Sequence, residues 1–351
     1  MVNTKKTLVI LTPGFAKDEE DSTCLPLQQQ LIRTIKDFHP QLNLIILSLQ
    51  YPFSTNKYTW QGIRIIPFNG KKPLSRLFLR KNLKTTLKKI HATTPITCLL
   101  SFWYGECALA AKQFADEYDL KHFCWILGQD AKKENKYPQR YQPRPHELIA
   151  LSDFLQNEFE KNHGIRPAHL VTAGINKKLF QTKKEKGIDI MGAGSLIPLK
   201  QYEIFIQIIA ALKQKIPEIK AMLVGKGPEK DRLNALILQL GLQSNVVLTG
   251  ELPHARVLEQ MQRARLFLHT SSYEGFGVVA AEALYAGCHV ISFTKPMKQE
   301  IEHWHITSSK EEMIEKATVL LQDPLTVYKP VLFFTIEEAA QKMTTLLFES
   351  M

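Results

Sequence analysis

The stretch Leu266–Phe293, LFLHTSSYEGFGVVAAEALYAGCHVISF, decides the predicted fold. Its apolar start, Leu266–His269, predicts a strand, and the polar residues Thr270–Gly275 predict a turn. The segment Gly277–Ala286 then predicts a helix, and Val290–Phe293 predicts a second strand. Strand, loop, helix and strand form a parallel crossover unit, and such units bind ligands at the carboxyl ends of their strands.

The same alternation of strands and helices runs through the rest of the chain, which predicts parallel sheets covered by helices on both faces. The polar segment Gln181–Gly187 predicts a linker. We therefore expect two doubly wound, Rossmann-like α/β domains, 1–180 and 188–334, facing a cleft that holds the ligand. The last helix, within 335–351, is expected to pack back toward the first domain.

Composition and charge exclude several classes of protein. Of 351 residues, 44% are hydrophobic and 23% are charged, as in ordinary globular chains. No segment contains the ~18 consecutive apolar residues that cross a membrane. The apolar run Thr7–Thr12 is too short for a secretory signal and is interpreted as a first buried strand. Five cysteines without close pairs indicate reduced thiols, so a cytoplasmic protein is expected.

The net charge of +11 favours polyanionic partners, among them nucleic acids, anionic lipids and phosphorylated small molecules. The sequence contains no helix-turn-helix, zinc-finger or RNA-binding aromatic signature. Nucleic acid is therefore not an expected partner.

Glu282 is the only charged residue of an otherwise apolar predicted helix. An apolar helix is a buried helix, and a buried carboxylate must be hydrogen-bonded. Ribose hydroxyls could donate those bonds, and so could an arginine or lysine in a structural ion pair. The sequence leaves both alternatives open.

Glu274 precedes Gly275-Phe276-Gly277. The two glycines let the backbone approach a ligand closely, and the start of the following helix offers free N–H groups to a phosphate. The alternative is a carboxylate that only caps the helix. Capping requires neither glycine.

Two further glycine-rich loops follow strands. Gly192-Ala193-Gly194 lacks the third glycine of a dinucleotide fingerprint, because Ile197 occupies that position. Lys200 follows at the start of the next helix, and Gly225-Lys226-Gly227-Pro228 ends another strand. Three such loops at one sheet edge predict a cradle for a polyphosphate. No Asp-x-Asp motif and no metal-ligand spacing occurs, so no metal cofactor is expected.

The pattern from Glu274 to Ile291 resembles the two-glutamate motif of retaining GT-B glycosyltransferases of the group 1, glycogen-synthase-like type (family 4). The resemblance extends over the second domain through Lys200, Gly225–Pro228 and Thr249-Gly250. In the first domain it rests on Gly14, on Gly128-Gln129-Asp130, and on Ala173–Asn176 with Phe180.

The resemblance implies a role for each matched residue. Glu274 would hold the sugar of a nucleotide-sugar donor, and Glu282 would bind its ribose. Lys200 would bind the diphosphate, and Asp130 would contact the acceptor or the donor sugar. Backbone groups would come from Gly275, Phe276, Gly277 and Val278, further donor contacts from Ser195, Gly225 and Lys226, and the acceptor side from Gly14 and Phe15.

The sugar would be transferred with retention by a front-face route, without a metal ion. Two positions depart from the family pattern, because Ser195 replaces a common arginine and Leu127 a common histidine. Lys226 could supply the missing cation. The departures motivate an alternative, a GT-B scaffold that binds nucleotide or sugar without turnover. A nicotinamide-dependent oxidoreductase is a third alternative, which Ile197 disfavours.

The segment Lys71–Ile90 carries many basic residues, no acidic ones, and interspersed apolar residues. A basic amphipathic helix is typical of proteins that contact a membrane surface or use a lipid-linked acceptor. The alternative is a surface helix whose apolar side packs on the core. Peripheral association with the inner face of the membrane is therefore one expectation for this cytoplasmic protein.

Overall fold

The computed structural model describes residues 6–71, 73–180 and 184–349, and of residues 73–77 it describes the backbone alone. The chain divides into two compact units. Unit 1 comprises the described residues of Met1–Gly174 and Ile336–Met351, and unit 2 comprises those of Ile175–Thr335. The division falls before the predicted linker, of which residues 181–183 lie outside the described part of the chain.

Unit 1 is built on an eight-stranded sheet. Its strands are β1 Thr7–Gly14, β2 Asn43–Tyr51, β3 Tyr58–Trp60, β4 Ile63–Pro67, β5 Cys98–Phe102, β6 Lys121–Ile126, β7 Leu148–Ala150 and β8 His169–Leu170. Its helices are α1 Pro26–Phe38, α2 Pro73–Thr93, α3 Glu106–Tyr118, α4 Tyr137–Tyr141 and α5 Asp153–His163. The strand order is β3-β4-β2-β1-β5-β6-β7-β8, and only the β3–β4 pair is antiparallel.

Unit 2 contains a six-stranded, fully parallel sheet. Its strands are β9 Ile188–Ala193, β10 Ala221–Val224, β11 Val246–Gly250, β12 Ala264–His269, β13 His289–Ser292 and β14 Trp304–Ile306. Its helices are α6 Tyr202–Lys213, α7 Lys230–Gln239, α8 His254–Arg263, α9 Val278–Tyr285 and α10 Lys310–Gln322. The last helix of the chain, α11 Ile336–Phe348, packs against α1 in unit 1.

The structure confirms the predicted α/β class with two Rossmann-like sheets. In unit 2 the strand order is β11-β10-β9-β12-β13-β14. The chain adds β10 and β11 on one side of β9 and then β12 to β14 on the other, so the switch point of this doubly wound sheet lies between β9 and β12. The predicted strand–loop–helix–strand stretch is present as β12, α9 and β13. The short strands β3 and β14 are additions to the predicted alternation.

The central strands are apolar because helices cover both of their faces. In β1, Leu8, Val9, Ile10 and Leu11 are all fully buried. In unit 2 the middle of β9 pairs with β10 and β12, which places Met191 between Met222 and Phe267. Near-continuous apolar sequence is the pattern of such doubly covered parallel strands. Polar residues are therefore concentrated where the strands end, and those ends position the candidate site.

Candidate functional site

Glu274 lies in the loop after β12, at the switch point of the unit 2 sheet. Hydrogen bonds join this loop to the turn after β9. Thr270 Oγ1 donates to the carbonyl of Lys200 at 2.7 Å, and the N–H of Ser272 donates to the carbonyl of Leu199 at 3.1 Å. These bonds place the Lys200 ammonium in direct contact with the Glu274 carboxylate. The two predicted residues are thus brought together.

A third group completes this cluster. His269, the last residue of β12, is 4% exposed, and its Nε2 lies 3.3 Å from Glu274 Oε1. Burial raises the pKa of Glu274, but the neighbouring His269 and Lys200 outweigh burial and hold that pKa well below its usual range. Glu274 is therefore a carboxylate at any physiological pH, held between two basic side chains. The sequence pattern does not single out His269, whose only signal is a polar residue at the end of an apolar strand.

The segment after Glu274 turns sharply into helix α9. Gly277 has a φ of 79°, a left-handed conformation that favours glycine, and it directly precedes the first helical residue, Val278. The Phe276 side chain is 2% exposed and packs edge-on against Trp304, with ring centroids 6.2 Å apart. Because this side chain is anchored in the core, only the backbone at Phe276 is available to a ligand.

Glu282 lies on α9 with its side chain 16% exposed, and its Oε1 is 2.7 Å from His254 Nε2 at the start of α8. The sequence left ribose hydroxyls and an arginine or lysine open as partners of Glu282, and among the described residues the structure pairs this carboxylate with a histidine. Oε1 makes this contact, and a carboxylate has further lone pairs to offer. The sequence offers no signal for His254, because the contact depends on how α8 packs against α9.

The glycine loops after β9 and β10 contact one another. The N–H of Leu196 donates to the carbonyl of Lys226 at 2.9 Å. A Cβ atom on Gly225 would lie 1.9 Å from the Gly194 carbonyl oxygen, and one on Gly227 would lie 2.3 Å from the Leu196 carbonyl oxygen. These glycines are therefore required by the packing of the two loops, which explains them without a ligand.

The remaining predicted donor residues are less enclosed. Ser195 is exposed on the loop after β9. The Lys226 side chain is 69% exposed and contacts Glu251, so its cation is already paired at the surface. Lys200 lies in a short 3₁₀ turn, Pro198–Lys200, and Gln201 separates it from α6, so the prediction that it opens the helix is wrong by two residues.

Asp130 in unit 1 is surrounded by backbone donors. Its carboxylate accepts from the N–H groups of Tyr104 at 2.9 Å, Gly128 at 2.8 Å and Leu127 at 3.2 Å. The side chain is 6% exposed, and burial raises its pKa to about 6 although these donors oppose the rise. This arrangement fixes the loop after β6, and the catalytic role implied by resemblance stays a prediction.

The two predicted acceptor residues end and follow β1. Gly14 is buried, and a Cβ atom there would meet Cys24 and Tyr51 at 3.5 Å, which is ordinary contact. Phe15 is fully buried, and its ring packs edge-on against Trp60 with centroids 5.0 Å apart. Its side chain therefore belongs to the core of unit 1, and only its backbone could face an acceptor.

Among the described residues, no group of three or more His, Cys, Asp or Glu side chains is arranged to hold a metal ion. What unit 2 offers is an ionised carboxylate with two basic neighbours, a second carboxylate, and the start of a helix, all near the carboxyl edge of one sheet. Carboxylates accept hydrogen bonds from sugar hydroxyls, and a helix start accommodates phosphate.

Comparison with known proteins agrees with the resemblance of this region to group 1 glycosyltransferases. Residues 175–325 match the family model of glycosyl transferases group 1. The matched region contains Glu274, Glu282, His254, His269 and Lys200, and it falls within unit 2.

Among curated relatives, the GtfA subunit of the UDP-N-acetylglucosamine–peptide N-acetylglucosaminyltransferase of Streptococcus parasanguinis is 25% identical over 144 residues, which is 40% of this chain and 28% of GtfA. The gpi3 subunit of the phosphatidylinositol N-acetylglucosaminyltransferase of Schizosaccharomyces pombe is 30% identical over 108 residues, 31% of this chain and 24% of that subunit. The chain thus spans about a quarter of the length of these relatives.

The structural comparisons extend over both units. The lipopolysaccharide outer core galactosyltransferase WaaB aligns with a TM-score of 0.65 at 14% identity, covering 97% of this chain and 96% of WaaB. Anabaena Alr3699/HepE, solved with UDP and glucose, aligns with a TM-score of 0.66 at 17% identity, covering 98% and 95%. At such identities the likeness shows the fold alone, and that fold is GT-B.

Proposed function

We propose that this protein is a retaining, metal-independent glycosyltransferase that moves a sugar from a nucleotide-sugar donor to a saccharide or lipid-linked acceptor. One observation carries the proposal: within the region that matches group 1, the Glu274 carboxylate lies against Lys200 and His269 at the switch point of the sheet. A carboxylate accepts hydrogen bonds from sugar hydroxyls, and an ammonium beside it stabilises the negative charge of the departing diphosphate.

The roles within the site follow from charge and position. Lys200 and the first N–H groups of α9 stabilise negative charge that develops on the leaving diphosphate. Glu274 hydrogen-bonds the transferred sugar, and Glu282 accepts the ribose hydroxyls. The leaving phosphate then assists deprotonation of the acceptor on the same face of the sugar, which retains the configuration.

Helix α2 is the element through which a lipid-linked acceptor or a membrane surface would be contacted. In α2, Leu79, Leu83, Leu87 and Ile90 are buried in the core of unit 1. The side chains of residues 73–77 lie outside the described part of the chain, and Phe78 is 57% exposed. A peripheral membrane contact would therefore use cations of α2 together with Phe78. No helix among the described residues is both long and apolar enough to cross a bilayer.

Ligand-dependent stabilisation tests the proposal. Thermal unfolding is followed with UDP-GlcNAc, UDP-glucose, GDP-mannose, ADP-glucose and NADH, because a ligand at 100 times its Kd stabilises by about 2.7 kcal/mol. We expect one nucleotide sugar to raise the midpoint and to release its nucleoside diphosphate when acceptors are added. Stabilisation by NADH alone, or by none of these ligands, would contradict the proposal.

A second candidate function is a GT-B scaffold that binds nucleotide without turnover. Two departures from the family pattern favour it. Ser195 is exposed at a position where an arginine is common, and Leu127, whose N–H donates to Asp130, stands where a histidine is common. Tight binding of a nucleotide sugar, with no hydrolysis and no transfer to any acceptor, would support the scaffold over the enzyme.

A further inference from the structure

The contact between His254 and Glu282 joins two helices beside the proposed donor site. His254 is the first residue of α8, and its side chain is 14% exposed. Its Nε2 lies 2.7 Å from Glu282 Oε1, on a side chain that is 16% exposed. Glu282 is the only charged residue of α9. Its basic neighbour, His254, therefore comes from another helix.

Several other charged groups near α8 pair with one another. Helix α8 packs against α9, β9 and β12. Asp189 on β9 lies 3.6 Å from Arg265 on β12, and His269 at the end of β12 faces Glu274. On α8 itself Arg256 pairs with Glu259, and the preceding Glu251 pairs with Lys226. Glu282 is therefore the charged group positioned to control the titration of His254.

We propose that His254 is a positioning residue for the donor, whose imidazolium orients the Glu282 carboxylate toward the ribose and makes donor affinity depend on pH. The inference rests on the proposed function, since it assigns Glu282 to the ribose. With Oε1 held by His254, the second oxygen, Oε2, has lone pairs that can accept hydrogen bonds from ribose hydroxyls.

Charge gives the direction of the pH dependence. Burial lowers the pKa of His254, but the hydrogen bond and charge of Glu282 outweigh burial and raise that pKa above its ordinary value. Below this pKa the pair is neutral overall, and above it the pair carries one negative charge. A nucleotide sugar carries a negatively charged diphosphate, so its affinity falls as pH rises through the pKa of His254.

The first test measures the Kd of UDP-GlcNAc by calorimetry from pH 5.5 to 8.5, because the diphosphate of a nucleotide sugar has no group that titrates in this range. We expect wild-type affinity to weaken by roughly threefold to tenfold across it. His254→Gln retains an N–H donor but no charge, so its Kd should be independent of pH and equal to the high-pH wild-type value. His254→Ala should bind more weakly still, because the donor is lost.

Arg256→Gln is the matched control, since it removes one cation from the same helix without touching Glu282. Its pH profile should follow the wild type. A His254→Gln profile that still follows the wild type would overturn the proposal, and loss of the pH dependence in the control would do the same.

The second test needs no ligand. NMR titration should show His254 ionising at higher pH in the wild type than in Glu282→Gln, and equal values in the two proteins would overturn the proposal. If the imidazole responds to Glu282 while no nucleotide sugar binds, the pairing stands and the proposed function fails. The two failures are thereby distinguishable.

Discussion

The two units place carboxylates at the same edge of similar sheets but hold them differently. In both sheets the first strand of the unit lies between the second strand and a later one, with β1 between β2 and β5, and β9 between β10 and β12. At the carboxyl edge of unit 1, backbone N–H groups surround Asp130. At that of unit 2, the side chains of Lys200 and His269 flank Glu274.

The difference separates a carboxylate whose partners are fixed from one whose partners can be exchanged. Backbone donors are fixed by the loop that they belong to, so a carboxylate bound to them has no freedom to exchange partners. A lysine side chain has several rotatable bonds and can release a carboxylate in favour of a phosphate. The topology of the sheet places both residues, and the kind of donor decides how easily each carboxylate can exchange partners.

Among the tests of the difference between Glu274 and Asp130, the substitution Glu274→Gln should have the largest effect. The amide keeps the size of the side chain but removes the charge beside the sugar. We expect transfer to fall by about 10²–10³-fold, with UDP binding and the circular dichroism spectrum retained. The measurement is single-turnover transfer from the donor identified by thermal shift. Glu259→Gln, which removes a carboxylate from the surface pair with Arg256, is the matched control and should transfer normally.

Asp130→Ala should act on stability. Three backbone N–H groups, of Tyr104, Leu127 and Gly128, lose their buried acceptor, which costs roughly 2–4 kcal/mol. Chemical denaturation followed by the tryptophans of unit 1 would measure the loss. UDP binding to unit 2 should persist below the unfolding transition. A stable Asp130→Ala protein that binds donor but fails to transfer would instead give this residue a catalytic role.

The sequence predicts the part of the site that is local along the chain. The crossover from β12 through α9 to β13 follows from an apolar run, a polar turn and an apolar helix, and Glu274 and Glu282 lie where that pattern expects them. The boundaries differ by one or two residues, since α9 begins at Val278 and the prediction began it at Gly277. Such short-range patterns depend on neighbours in sequence, which is why they can be read directly.

The partners of the two glutamates could not be predicted in the same way. His254 reaches Glu282 because α8 packs against α9, and Lys200 reaches Glu274 because hydrogen bonds join two loops that are distant in sequence. The glycines at 225 and 227 are needed because two loops lie very close together, and the order of residues along the chain does not show that contact. Tertiary packing therefore decides which donor each carboxylate meets.

Acidic pH should act in opposite directions through two buried groups, His305 in unit 2 and Asp130 in unit 1. Burial and the charges of His289 and Lys316 lower the pKa of His305 to about 4, against about 6.5 in an unfolded chain. Between these values the unfolded chain binds more protons, so this histidine makes stability rise with pH. Asp130, with a pKa raised to about 6 against about 3.9 unfolded, makes stability fall as pH rises through that range.

His305→Gln isolates the contribution of unit 2. The difference in thermal midpoint between pH 7 and pH 5 should be smaller in the variant than in the wild type, because one group that gains a proton on unfolding is removed. Midpoints measured at both pH values by calorimetry decide the question. An unchanged difference would mean that the imidazole of His305 is already solvated in the folded protein.

The smallest expected effect comes from Lys226, and it ranks Lys226 against Lys200. Lys226 is 69% exposed and pairs with Glu251 at the surface, whereas Lys200 is 17% exposed and contacts Glu274. Surface pairs contribute about 0–1 kcal/mol, so Lys226→Gln should change stability little and donor affinity by less than about threefold. Lys200→Gln, with the same change in charge, should weaken donor binding by about tenfold or more. Calorimetry on both variants compares them directly, and equal losses would show that Lys226 supplies the cation that Ser195 lacks.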